Sequence, residues 1–195
     1  MRSSRTPIFM WRAGGVSHRV NNVNLILIGY RGTGKSTVAR LLAEQLGASC
    51  LDTDLEVERR AAKSIRAIFE EDGEPVFRDL EMAAIHDVLA RDNLVVAVGG
   101  GAVLRPENRA ALRNLGKVIW LRADVETILR RVAADPTNAA RRPNLTTAGG
   151  RDEVVKLLCE RAPLYEQCAD LVVDTDDRPA DALAAEILLR FEWPR

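Results

Sequence analysis

The sequence predicts an α/β domain, a five-stranded parallel sheet with helices on both faces, and three observations support it. Five short apolar runs alternate with segments of helical period along the chain, the alternation that builds a parallel sheet. The first run closes in a glycine-rich turn that leads directly into a helix. The chain has 195 residues, 47% apolar and 29% charged, enough for one domain with a substantial core.

Taken in order, LILIG (Leu25–Gly29) is a short apolar run ended by glycine, the pattern of a buried strand. Ser36–Leu46 repeats Val38, Leu41 and Leu42 at helical spacing and stops at Gly47. Ser49–Asp52 reads as the second strand. Leu55–Ala62 and Ile65–Leu89 read as mostly helical, broken near Gly73-Glu74-Pro75. Leu94–Val98 (LVVAV) is the third strand and runs into Gly99-Gly100-Gly101. Pro106–Leu115 is a helix and Lys117–Leu121 the fourth strand. Asp124–Ala133 is helical, with Asp124 as N-cap. Asp135–Gly150 is polar and holds two prolines and a glycine pair, so it reads as a loop. Arg151–Tyr165 returns to helix, Leu171–Asp174 is the fifth strand, and Pro179–Arg190 closes the chain as a helix with proline in its first turn. There is no internal repeat and no interdomain linker.

Composition excludes several classes of function. No stretch approaches the ~20 apolar residues of a membrane helix. Positive and negative side chains number 28 each, which argues against a protein that coats nucleic acid. Cys50, Cys159 and Cys168 form no C-x-x-C pair, and with only His18 and His86 a zinc cluster lacks partners. A reducing cytoplasm is the expected compartment. Residues 1–22 carry Arg2, Arg5, Arg12 and Arg19 and no acid. They lack the continuous apolar stretch of a signal peptide and read as a disordered extension, or as the product of an upstream start codon, ahead of a domain spanning 23–195. Deleting residues 1–22 is therefore expected to leave melting temperature and turnover unchanged, since they offer no apolar face to pack. A large loss of either would move that boundary.

Gly29-Tyr-Arg-Gly-Thr-Gly34-Lys35-Ser36 fits G-x-x-x-x-G-K-[ST], between a predicted strand and a predicted helix. Gly32, Thr33, Gly34, Lys35, Ser36 and Thr37 would turn backbone N–H groups and a helix N-terminus toward phosphates. Lys35 would reach the β- and γ-phosphates of a nucleoside triphosphate, and Ser36 would hold Mg²⁺. Lys35 is one of four lysines among 28 basic side chains. A dinucleotide fold is disfavoured, because the glycines do not read G-x-G-x-x-G and the Lys-Ser pair would be unexplained.

Further features follow the strands. Asp52-Thr53-Asp54 closes the second strand; Phe77-Arg78-Asp-Leu-Glu81 places Arg78 and Glu81 at i, i+3. Gly99-Gly100-Gly101 closes the third strand, where a ligand can approach the backbone. Arg161-Ala-Pro-Leu-Tyr165 puts another arginine near a helix end. From spacing alone, Asp54 fits an N-cap as well as a binding group. Arg78 fits a surface ion pair with Glu81, Arg161 a solvated helix position, and Phe69 and Phe77 a core.

Together, GxxGxGKS, DTD, FRxxE, GGG and RxPLY make residues 24 to 190 resemble the shikimate kinases. The resemblance implies a five-stranded parallel sheet of the nucleoside monophosphate kinase type. It also implies transfer of the ATP γ-phosphate to the 3-hydroxyl of shikimate, in aromatic amino-acid biosynthesis. Arg78 and Arg161 match the arginines that hold the substrate carboxylate, for which paired guanidinium donors are suited. Asp54 matches the aspartate at the hydroxyls, and Gly100 and Gly101 the backbone contacts. Phe69 and Phe77 match pocket walls. Asp52 resembles the carboxylate that holds Mg²⁺ through water, beside Ser36 as direct ligand. Arg142, in the polar loop, matches a lid arginine that reaches ATP, though its neighbour Arg141 leaves a one-residue ambiguity. Arg131 and Arg178 match adenine-side positions. The resemblance leads to ATP and shikimate as the partners, with no nucleic acid or membrane, and to a monomer. Two other readings stay open: a kinase for another polyol acid such as gluconate, which would not need both Arg78 and Arg161, and a non-catalytic ATP-binding homologue. Such a homologue typically loses the loop lysine or the acceptor aspartate, whereas Lys35, Asp52 and Asp54 are all present here.

Overall fold

The chain is described by a computed structural model over residues 24–88, 90–135 and 150–191. Five strands, β1 (Asn24–Ile28), β2 (Ser49–Asp52), β3 (Leu94–Ala97), β4 (Gly116–Arg122) and β5 (Leu171–Asp174), form one sheet in the order β2-β3-β1-β4-β5. Every neighbouring pair is parallel. The helices are α1 (Lys35–Leu46), α2 (Thr53–Ala61), α3 (Ile65–Ala67), α4 (Glu74–Val88), α5 (Pro106–Leu115), α6 (Val125–Ala134), α7 (Gly150–Cys168) and α8 (Ala180–Arg190).

All five residues of β1 are buried, as a central strand covered on both faces requires. On one face Ile26, Ile28, Val96 and Val118 pack on Ile85 of α4, Leu112 of α5 and Tyr165 of α7. On the other, Leu25, Leu27, Val95 and Ile119 pack on Val38 and Leu42 of α1 and Leu183 and Ile187 of α8. Asn24 locks the start of the sheet. Its side chain donates to Arg91 O (2.9 Å) and Leu115 O (3.2 Å) and accepts from Leu94 N (2.9 Å).

The boundaries differ from expectation at three places. Helix α2 begins at Thr53 because Asp52, not Asp54, is its N-cap, accepting from Asp54 N at 3.0 Å. The carboxylate of Asp54 is thereby left to face the site. The predicted helix from Ile65 widens into a π turn at Ile68–Asp72, closed by Gly73 N–H to Ile68 O at 2.9 Å. That turn buries Ile68 in the core while Phe69 reaches the site, a use typical of π turns. Helix α7 runs through Pro163 to Cys168 instead of stopping at Tyr165, because both Tyr165 and Cys168 are buried in the core. Asp124 caps α6 as expected, accepting from Thr127 N at 2.6 Å.

The chain passes to β2 and β3 on one side of β1 and to β4 and β5 on the other. The crevice at the carboxyl ends of strands around such a reversal is where open α/β sheets bind ligands.

Candidate active site

Gly29–Ser36 fills that crevice. Gly29 has φ 138°, and a Cβ there would lie 2.3 Å from Leu121 O, so only glycine lets the loop leave β1 this close to β4. Gly34, at φ 90°, is the N-cap of α1, and no side chain bonds the first turn of that helix. Its amides and positive dipole end are therefore presented to an anion. Thr33 Oγ1 donates to Tyr30 O (2.8 Å), bracing the loop from within. Lys35 Nζ donates to Gly29 O (2.9 Å) and Tyr30 O (2.8 Å), and Ser36 Oγ donates to Asp52 Oδ2 (2.6 Å).

Two cavities open here. The larger, about 1730 Å³, is walled by Gly32, Gly34, Lys35, Ser36, Asp52 and Arg131, among others. The smaller, about 480 Å³, is walled by Phe69, Phe77, Arg78, Gly100, Gly101 and Arg161 together with Tyr30 and Glu81. Asp54, Arg31 and Ile65 line both, so the cavities meet at a carboxylate and a guanidinium.

The smaller cavity is built from buried charge. Arg78, Glu81 and Arg161 are all buried, so the alternative readings of Arg78 as a surface ion-pair residue and Arg161 as a solvated one do not hold. Arg78 Nη1 donates to Glu81 Oε2 at 2.7 Å, and Nε and Nη2 donate to Glu74 at 3.1 and 2.9 Å. Burial pushes the Glu81 carboxyl above the usual range against the pull of the Arg78 charge. Arg161 Nη1 lies 3.5 Å from Gly100 O, while its buried Nε has no hydrogen-bond partner. The Tyr165 hydroxyl, held protonated by burial, donates to the same carbonyl. Gly100 is thus fixed from α7, and its neighbours are just as confined. A Cβ at Gly101 would lie 2.4 Å from Arg78 Nη1, and one at Gly99 would lie 2.7 Å from Asp54 Oδ1 and from Glu81 Oε1. We expect Gly101→Ala to push the Arg78 guanidinium aside, raising the acceptor KM and, because the buried pair with Glu81 is disturbed, lowering the melting temperature. An unchanged KM in steady-state kinetics would show that Arg78 can yield without cost.

Phe77 is both core and wall: it is buried, and its ring centroid lies 4.7 Å from that of Phe69. Arg131 reaches across the larger cavity, donating to Thr175 Oγ1 (3.0 Å) and toward Gly32 O (3.4 Å). Thr37 also lines this cavity. Arg178 lines neither cavity. It donates to Glu186 Oε2 (2.6 Å) and Asp174 O (3.1 Å) instead. Arg141 and Arg142 lie outside the described residues.

Arg31 and Glu153 are among the site residues that escaped the sequence reading. Arg31 occupies a position any residue may fill in the loop motif, and it pairs with Glu153 at 3.0 Å. Glu153 could have been found: with Leu157, Arg161 and Tyr165 it forms a buried stripe at i, i+4, i+8, i+12 on α7.

Two substrates could lie in these cavities and meet at Asp54, an arrangement a phosphotransferase needs and a simple nucleotide hydrolase does not. Fold and site therefore define a P-loop kinase with a small-molecule acceptor. Residues 31–192 match the model of the shikimate kinase family. The chain is 46% identical over 168 residues to the shikimate kinase of Pseudomonas syringae pv. syringae, covering 86% of this chain and 95% of that one. It is 47% identical to that of Pseudomonas putida (strain F1) over 169 residues, with 87% and 96% covered. Among solved structures, a shikimate kinase from Acinetobacter baumannii in complex with shikimate has a TM-score of 0.83 at 37% identity, covering 88% of this chain and 94% of that one. A gluconokinase from Sinorhizobium meliloti, at 20% identity and a TM-score of 0.59, shares the fold alone. The chain belongs to the shikimate kinase family.

Proposed function

We propose that the chain carries out the reaction of its family, transferring the γ-phosphoryl group of ATP to the 3-hydroxyl of shikimate in aromatic amino-acid biosynthesis. The observation that carries this reading is the meeting of the two cavities at Asp54, with Arg78 and Arg161 on the acceptor side alone. A carboxylate on a small ring suits two buried guanidinium groups, and Asp54 lies where the acceptor hydroxyl would enter. A gluconate kinase would not need both arginines.

In this reading, the loop amides and Lys35 hold the phosphates and Arg131 lies on the adenine side, with Arg178 and Arg142 assigned to ATP by family position. Asp54 orients the acceptor hydroxyl and accepts its proton. The hydroxyl oxygen of the acceptor bonds to the γ-phosphorus as the bond to the bridging oxygen breaks, and the electron pair leaves on ADP. Gly100 and Gly101 bring backbone against the ring. The Ser36–Asp52 pair fits Mg²⁺. Its donors are all oxygen, and among the described residues no cluster of three His, Cys, Asp or Glu competes for a softer ion. Ser36 would bind the ion directly and Asp52 through water; when bound, the ion neutralises charge on the β- and γ-phosphate oxygens.

Among the described residues no helix is long and apolar enough to cross a membrane. Three free cysteines suit the cytoplasm. Monomeric state is supported by the scatter of exposed large apolar side chains, such as Leu55, Val76, Val172 and Leu189, over separate elements. ADP release by purified protein with Mg²⁺-ATP, with shikimate, with gluconate and without acceptor, tests the activity. Release is expected with shikimate only. Equal release with gluconate would transfer the assignment, and acceptor-independent release would remove it.

A further inference from the structure

We propose that Arg31 contacts the phosphoryl group in transit and the phosphate of the product, with Glu153 as the residue that positions it. The inference rests on the kinase reading above and adds a residue to it. Among the described residues, Arg31 is the one cationic side chain that lines both cavities. Lys35, Arg40 and Arg131 line the larger one alone, and Arg78 and Arg161 the smaller one alone. A group passing from one cavity to the other crosses the place where Arg31 stands.

The guanidinium is held there rather than free to wander. Its Nη2 donates to Glu153 Oε1 at 3.0 Å, and that carboxylate side chain is 0% exposed while Arg31 is 12% exposed. Its Cζ lies 5.9 Å from the centroid of the Tyr30 ring, and the Cζ of Arg161 lies 5.8 Å from the same ring. The two cations are thus placed against one aromatic ring, with only Arg31 reaching the nucleotide side. One ion pair leaves donors to spare on a group with five N–H bonds, and Nε is buried without a hydrogen-bond partner. As the acceptor oxygen bonds to the γ-phosphorus and the bridging bond breaks onto ADP, three equatorial oxygens carry negative charge. A fixed cation in a site of low dielectric is strongly favourable to that charge. The same donors would meet the product's phosphate, whereas the unphosphorylated acceptor brings no anion to the place where the two cavities join.

The test compares turnover with the affinities of shikimate and shikimate 3-phosphate, measured by calorimetry, in Arg31→Met, Arg31→Lys and Glu153→Gln. We expect Arg31→Met to lower kcat by roughly tenfold to a hundredfold, at or below the low end of the loss seen when one oxyanion donor is removed. Product Kd should rise about as much, while shikimate Kd moves little. Arg31→Lys should restore part of both losses. Glu153→Gln should shift kcat and product Kd in the same direction by less. If Arg31→Met is poorly folded because Glu153 has lost this ion pair, the double variant Arg31→Met/Glu153→Gln carries the comparison. Unchanged kcat, or equal weakening of shikimate and product, would overturn the proposal. Absence of shikimate-dependent ADP release by the unaltered enzyme would instead sink the activity itself.

Discussion

Lys35→Ala is expected to lower turnover by about a hundredfold or more, the scale of losing a charge aimed at the reacting phosphates. Secondary structure and melting temperature should stay near native. Lys35 bonds two carbonyls of its own loop, Gly29 O and Tyr30 O, which makes it look structural. The shape of the loop does not depend on it, however. Gly29 is set by its close approach to Leu121, and Thr33 Oγ1 independently ties the loop to Tyr30 O. Circular dichroism and coupled ADP-release kinetics on one preparation separate the alternatives. Near-normal turnover would remove the loop lysine from the mechanism, whereas loss of the folded signal would make it a structural strut.

What could be read from the sequence was local. Strands β1 and β3 appear as unbroken apolar runs because parallel strands are covered on both faces. The phosphate loop appears because glycine spacing and a following Lys-Ser have few other uses. What could not be read depends on partners far away in the chain. Arg31 and Glu153 are 122 residues apart, and no periodicity links a loop residue to a helix face. Arg78 at i, i+3 from Glu81 has the same spacing whether solvated or buried; burial comes from helix α4 facing the Gly99–Gly101 turn, where added Cβ atoms would strike both side chains. The candidate caps Asp52 and Asp54 lie two residues apart. Either fits the N-cap preference, and the answer decides which carboxylate faces the acceptor.

That carboxylate and the two arginines should fail in different ways when altered. Arg78→Ala and Arg161→Ala remove grips on a part of the substrate that does not react, so a raised KM for shikimate should be a major effect. Turnover should fall as well, because remote binding energy also orients the ring. Arg78→Ala carries a second cost, since Glu81 would keep its buried position without its 2.7 Å partner. Losing one partner of a buried pair costs about 3–5 kcal/mol, so its melting temperature should drop. Arg161 has no short ion pair like that of Arg78 with Glu81, and its contact to Gly100 O is long, so Arg161→Ala is the cleaner probe of substrate grip. Asp54→Asn keeps the size of the side chain and some hydrogen-bonding capacity but cannot take a proton. It should lower turnover chiefly, with KM little changed. A loose phosphoryl-transfer transition state needs less help from a base than a tight one, and this makes the outcome informative. Steady-state kinetics with shikimate varied at saturating ATP decide it. If Asp54→Asn keeps full turnover and only raises KM, Asp54 positions the ring, and the proton leaves the hydroxyl without it.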